Sequence, residues 1–162
     1  MARIELTTEI RAPVERCFDL ARDLDLHRRS MEHAREEAIA GRTSGLIDLG
    51  EEVTWRARHF GLQHEHTSRI TVFERPRHFR DSMIRGRFAR FEHDHFFEVV
   101  GTGTLMRDVV VFESPLGPIG WLVDRLVLRT YLEGLVRQRS EAIRREAEGH
   151  RAPGPETGGT GT

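Results

Sequence analysis

His93 and His95 stand two residues apart in a segment, Ala89 to Val99, where apolar and charged residues alternate, so both imidazoles fall on one side of a strand. Ala89, Phe91, Phe97 and Val99 share that side, while Arg90, Glu92, Asp94 and Glu98 mark the other as solvent-facing. A turn at Thr102-Gly103 sends a second strand back with Met106, Asp108, Val110 and Phe112 on the same face, opposite Val99, Phe97, His95 and His93. One strand earlier, Phe79, Asp81, Met83 and Arg85 also share it, in the register that pairs Val72 with Asp81 and Ile70 with Met83. An aspartate, Asp81 or Asp108, set against His93 or His95 would fix one imidazole tautomer and leave the other ring nitrogen free to take or give a proton. That chemistry suits an aldol-type cyclisation or a dehydration. A buried polar network in which the same four groups satisfy one another would leave the same pattern without any turnover.

His64 and His66 repeat the His-x-His spacing, which is compatible with a metal. The two pairs lie toward opposite ends of the meander, on the order of 20 Å apart at the usual strand rise. One zinc needs its ligands at ~2 Å, so no metal is expected. Arg85, beside Gly86, could anchor a carboxylate or phenolate at one cavity end or reach the rim and be solvated. The basic cluster Arg75, Arg77, His78 and Arg80 has no interleaved aromatic residues, which argues against nucleic acid. No Gly-x-Ser-x-Gly elbow or phosphate-cradling glycine loop is present, so hydrolase, kinase and dehydrogenase readings fall.

These residues need a sheet to hold them. Val53, Trp55, Ala57 and His59 face inward on a strand from Glu51, and after the turn at Phe60-Gly61, Leu62, His64, His66, Ser68, Ile70 and Val72 face inward on its partner. Combining the hairpins sets Trp55, His59, His66, Ser68, Ile70, Met83, Phe91, Phe97, Val110 and Phe112 on one concave face, as a ligand-binding wall or simply as core. Ahead of the meander, Arg3 to Ile10 alternates as a strand and Pro13 opens a helix carrying Val14, Cys17, Phe18 and Ala21. A second short helix over Leu24 to Met31 and a short strand over Glu37 to Ala40 precede a loose segment, Gly41 to Gly50. From Pro118 to about Glu148 the pattern predicts one long helix, apolar on more than one stripe in its first half and amphipathic in its second.

At 162 residues and 38% hydrophobic, the chain suits one domain over residues 1–148, followed by a Gly/Pro/Thr-rich disordered tail over 149–162. The 25 basic and 26 acidic residues nearly cancel, so net charge points to neither nucleic acid nor an acidic surface. Every basic residue is arginine, which removes lysine nucleophiles and Schiff bases. The single Cys17 permits no intrachain disulfide. No signal-like apolar core and no run of ~20 apolar residues occurs, and a cytoplasmic protein without an integral membrane segment is expected.

Three stretches carry a family resemblance. Ile10-Arg11-Ala12-Pro13-Val14-Glu15-Arg16-Cys17-Phe18 is similar to the strand-to-helix opening of the START-related and birch-pollen-allergen-like superfamily, SRPBCC, and Phe73 to Phe79 resembles its hairpin after the fourth strand. Gly103-Thr104, Met106-Arg107-Asp108 and Ser114-Pro115-Leu116-Gly117 resemble the polyketide cyclase/dehydrase-like branch. The resemblance covers roughly residues 3 to 148. It implies an α+β helix-grip fold, with a curved antiparallel sheet wrapped around the C-terminal helix and an elongated cavity for an apolar ligand. The expected occupant is a small hydrophobic or aromatic molecule such as a lipid, quinone or polyketide, with no cofactor. The alternatives are an aromatase/cyclase-type enzyme acting through His95 and Asp108, and an interaction protein whose apolar helix, around Trp121 to Leu135, meets a partner or a second copy as a homodimer.

Overall fold

The computed structural model describes residues 1–115 and 117–149. Seven strands form one antiparallel sheet in the order β1-β7-β6-β5-β4-β3-β2. They are β1 (Ala2–Ile10), β2 (Glu37–Gly41), β3 (Glu52–His59), β4 (Leu62–Glu74), β5 (His78–Arg85), β6 (Arg90–Val100) and β7 (Gly103–Glu113). Helices α1 (Val14–Ala21) and α2 (Leu24–Ser30) follow β1, and α3 (Gly117–Val123) and α4 (Arg129–Ala147) follow β7. This is the helix-grip arrangement. The single long helix expected at the C-terminus is interrupted, because Asp124–Leu128 between α3 and α4 takes π-helical turns. Apart from Gly149, the tail expected over residues 149–162 lies outside the described residues.

Helix α1 is amphipathic and buries the predicted stripe of Val14, Cys17, Phe18 and Ala21. Phe18 is the hub of the main core, meeting Phe73 and Phe79 edge-on at 5.3 Å and Phe97 at 5.4 Å. Full burial of one such side chain contributes roughly 1.5–3 kcal/mol. A smaller cluster of Ile4, Val110 and Phe112 packs against Phe88, Phe91, Leu132 and Val136. In α4 the fully buried residues, Ser140, Ile143 and Ala147, all lie in its C-terminal half. The helix is therefore seated at that end, and its first half borders open space above the sheet.

Register departs from the sequence reading in two places. The hairpin between β6 and β7 closes on Gly101-Thr102, with Val100 paired to Gly103 and Gly101 at φ 59°. Each β7 residue consequently meets a partner two positions earlier than expected: Asp108 faces His95 and Val110 faces His93. A slip of two preserves which face is inner. Between β4 and β5, Ile70 pairs with Asp81 and Ser68 with Met83, and irregularities fall at both ends of that stretch, at Thr71 and Ile84. Each extra residue reverses the alternation. Val72, expected inside, pairs with the outward-facing Arg80, and Phe73 enters the core instead. Arg85 is turned to the convex face, opposite Thr67.

Candidate functional site

A cavity of about 350 Å³ lies between the sheet and the first half of α4, within the size range of small-molecule sites. Trp55, His59, His66, Ser68, Ile70, Met83, Phe91 and Val110 line it, together with Asp81 and His93. Phe97 and Phe112 are buried behind that wall, in the main and the smaller core clusters. Arg85 does not reach the cavity. The bulge at Ile84 carries its guanidinium to Thr67 Oγ1, 3.3 Å away on the other face of the sheet.

The four residues singled out for acid–base chemistry meet in one network. His93 donates Nε2–H to Asp108 Oδ1 at 3.0 Å, and Ser140 of α4 donates to Asp108 Oδ2 at 2.9 Å. His95 Nδ1 lies 2.8 Å from Asp108 Oδ1, an ion-pair contact whose angles fall short of a hydrogen bond. Its Nε2 is 3.4 Å from Asp81 Oδ2, and His93 Nδ1 is 3.9 Å from that same oxygen. Strand pairing explains the assembly: Asp81 faces His93 across β5 and β6, and His95 faces Asp108 across β6 and β7.

Burial pulls both imidazoles toward the neutral form, with different outcomes. For His93, burial and the neighbouring His95 prevail and the pKa falls. For His95, burial is outweighed by the two carboxylates, Asp108 and then Asp81, and the pKa rises. Burial alone would raise both aspartates, but hydrogen bonding from His95 holds Asp81 below the ordinary carboxylate range, and the hydrogen bond from His93 with the close approach of His95 does the same for Asp108. The network thus sets His95, shifted toward its charged form, between two carboxylates, with His93, shifted toward the neutral form, beside it. Of these groups Asp81 and His93 face the cavity, whereas His95 and Asp108 stand behind them.

Several polar groups in the cavity were not singled out from the sequence. Arg139 of α4 lines it, donates to the Ala21 carbonyl oxygen, and has its pKa depressed by burial despite the fields of Asp81, Asp108 and Glu36. The signal was present: Leu132, Leu135, Val136 and Arg139 recur at helical spacing on one stripe. Toward β3, His27 Nε2 bonds Glu36 Oε2 at 2.6 Å, and its ring stacks on Trp55 at 4.4 Å. Burial and then the charge of Arg139 push His27 down; burial would raise Glu36, but His27 and other histidines hold it ionised. Glu36 lies in the segment with no clear periodicity, which hid it. His59 Nδ1 and the Tyr131 hydroxyl share a hydrogen bond at 2.7 Å.

Residues 1–148 match the family model described as polyketide cyclase/dehydrase and lipid transport. No curated protein matches the chain. A solved structure from Thermus thermophilus is similar at 22% identity and TM-score 0.68, covering 88% of this chain and 97% of that one. A START superfamily protein from Mycobacterium smegmatis is similar at 13% identity and TM-score 0.68, with 91% and 97% covered. Major latex-like protein 151 from Panax ginseng gives 12% identity and TM-score 0.63, with 90% and 97% covered. At these identities the likeness is one of fold.

Proposed function

Because the chain belongs to the polyketide cyclase/dehydrase and lipid transport family, we propose that it binds a small hydrophobic or aromatic molecule, such as a lipid, quinone or polyketide, between the sheet and α4. The observation that carries this reading is a largely apolar cavity with Arg139 as a buried cationic anchor. A desolvated guanidinium favours an occupant with an anionic or strongly polar oxygen at one end. No helix among the described residues is long and apolar enough to cross a membrane. Arg75 and Arg80 are engaged by Asp19 and Asp94, which disfavours phosphate backbones as partners. A cytoplasmic location is the reading that the buried, unpaired thiol of Cys17, the single cysteine of the sequence, supports.

Native and denaturing mass spectra of the untagged protein from its own host test the binding reading. A small apolar compound lost on denaturation supports it; an apo mass that stays unchanged on adding candidate lipids, quinones and polyketides overturns it. Aromatase/cyclase-type turnover is the second reading, favoured by Asp81 and His93 facing the cavity. It requires conversion of a polyketide that is lost in Asp81→Asn. Self-association is supported by Leu122, Val123, Leu126 and Val127, which are 50%, 38%, 66% and 50% exposed. A mass by light scattering that stays monomeric at high concentration would rule it out.

A further inference from the structure

We propose that Asp81, His93 and His95 form a binding site for one divalent transition metal in the cavity wall, with Asp108 supporting the two imidazoles from behind. Among the described residues these three offer one ligand atom each, all within 4.8 Å of one another. Asp81 Oδ2 stands 3.4 Å from His95 Nε2 and 3.9 Å from His93 Nδ1. Two bonds of ~2.0–2.2 Å at a tetrahedral angle hold their donor atoms roughly 3.3–3.6 Å apart, so little movement brings the three onto one ion.

The opposite edges of both rings point to a single carboxylate. His93 Nε2 and His95 Nδ1 lie 3.0 and 2.8 Å from Asp108 Oδ1, and Asp108 is itself held by the Ser140 hydroxyl. Metal-bound histidines usually turn their second nitrogen toward a carboxylate in this way, which fixes the tautomer and aims the lone pair at the ion. With protons on those outer nitrogens, His93 Nδ1, His95 Nε2 and Asp81 Oδ2 are three acceptors facing one another. Such a convergence needs a cation between them. In the metal-free protein His95 Nε2–H donates to Asp81 Oδ2, and a divalent ion would take the place of that proton.

Two imidazoles and one carboxylate suit Zn²⁺, Co²⁺ or Fe²⁺ better than Mg²⁺ or Ca²⁺. Three protein ligands leave a coordination position open, as in catalytic rather than structural zinc sites. Asp81 and His93 line the cavity, which gives the ion both its route in and its open side. An oxygen of the cavity's occupant would take that position, with Arg139 nearby to hold further negative charge.

Cobalt titration of the untagged, chelator-dialysed protein tests this. The expected result is visible absorption of low-coordinate Co²⁺ saturating at one ion per chain and displaced by Zn²⁺. Asp81→Asn should weaken binding at least tenfold and Asp108→Asn by about 10–100-fold, whereas His33→Ala, at an exposed histidine outside the cavity, should leave it unchanged. Proton NMR of the wild-type protein gives a readout that needs no variant: bound Co²⁺ should shift the His93 and His95 ring N–H resonances. Absent absorption, unshifted resonances, or loss of binding in the His33 variant instead would overturn the site.

Discussion

His59 and Tyr131 join the end of β3 to the first turn of α4 through a 2.7 Å hydrogen bond. Their rings meet edge-on at 5.8 Å, and Phe60 packs against Tyr131 at 4.6 Å. This contact spans the cavity where α4 is least buried. Tyr131→Phe removes the bond and keeps the ring, and should cost about 0.5–1.5 kcal/mol. Stopped-flow release of a bound fluorescent fatty acid should be faster in the variant, and an unchanged rate would show that the cavity opens elsewhere.

Arg139→Gln should weaken binding of 1-anilinonaphthalene-8-sulfonate, an apolar anion, at least tenfold, while Arg85→Ala should leave it within twofold. Fluorescence titration distinguishes the two. The contrast follows from Arg139 lining the cavity and Arg85 lying on the convex face. Equal losses in the two variants would mean that the probe binds the surface.

Burial is the leading cause of lowered pKa at His27, His59 and His66. A histidine that titrates lower when folded binds fewer protons than in the unfolded chain, so its contribution is complete above the ordinary value of 6.5 and lost as pH falls below it. His66→Gln removes one such group. The stability difference between variant and wild type should therefore move in the variant's favour from pH 7.5 to pH 5, as read by urea denaturation. A difference independent of pH would contradict the direction assigned to His66.

Phe18→Ala empties the point where α1, β4, β5 and β6 meet. Fully buried Phe-to-Ala changes cost about 3–5 kcal/mol. A urea midpoint shift equivalent to less than about 1 kcal/mol would mean that the core can close over the gap.

The strand faces were legible because alternation is strict over β3, β6 and β7: Trp55, His93 and Asp108 all point inward as expected. Period two fixes a face but not the partner residue. The β6–β7 register accordingly slipped by two without moving any side chain to the wrong side. Arg85 and Val72 failed for another reason, since an extra residue at Ile84 and at Thr71 reverses parity and neither position carries a glycine or proline to announce it. Glu36 falls between the predicted short helix and short strand, and it meets His27 of that helix only through tertiary packing. Asp81 was placed on the inner face, but its meeting with both histidines depends on strand order, which His-x-His spacing does not encode.

The pairing of β1 with β7 makes the edge of the sheet a contact between strands far apart in sequence. Ala2 is bonded to the level of Phe112 and Ile10 to that of Thr104, so among the described residues β1 finds its sheet partner only in β7, about a hundred residues further along the chain. The close approach is tight: a Cβ at Gly103 would stand 2.6 Å from the Ile10 carbonyl oxygen. Helix α1 follows directly from β1 and carries Phe18 to its partners on β4, β5 and β6. Until residue 113 is available, the N-terminal strand lacks its full native edge. Such sequence-distant contacts slow folding, and an emerging chain truncated before β7 should remain a target for proteases and chaperones even though six of its seven strands are already made.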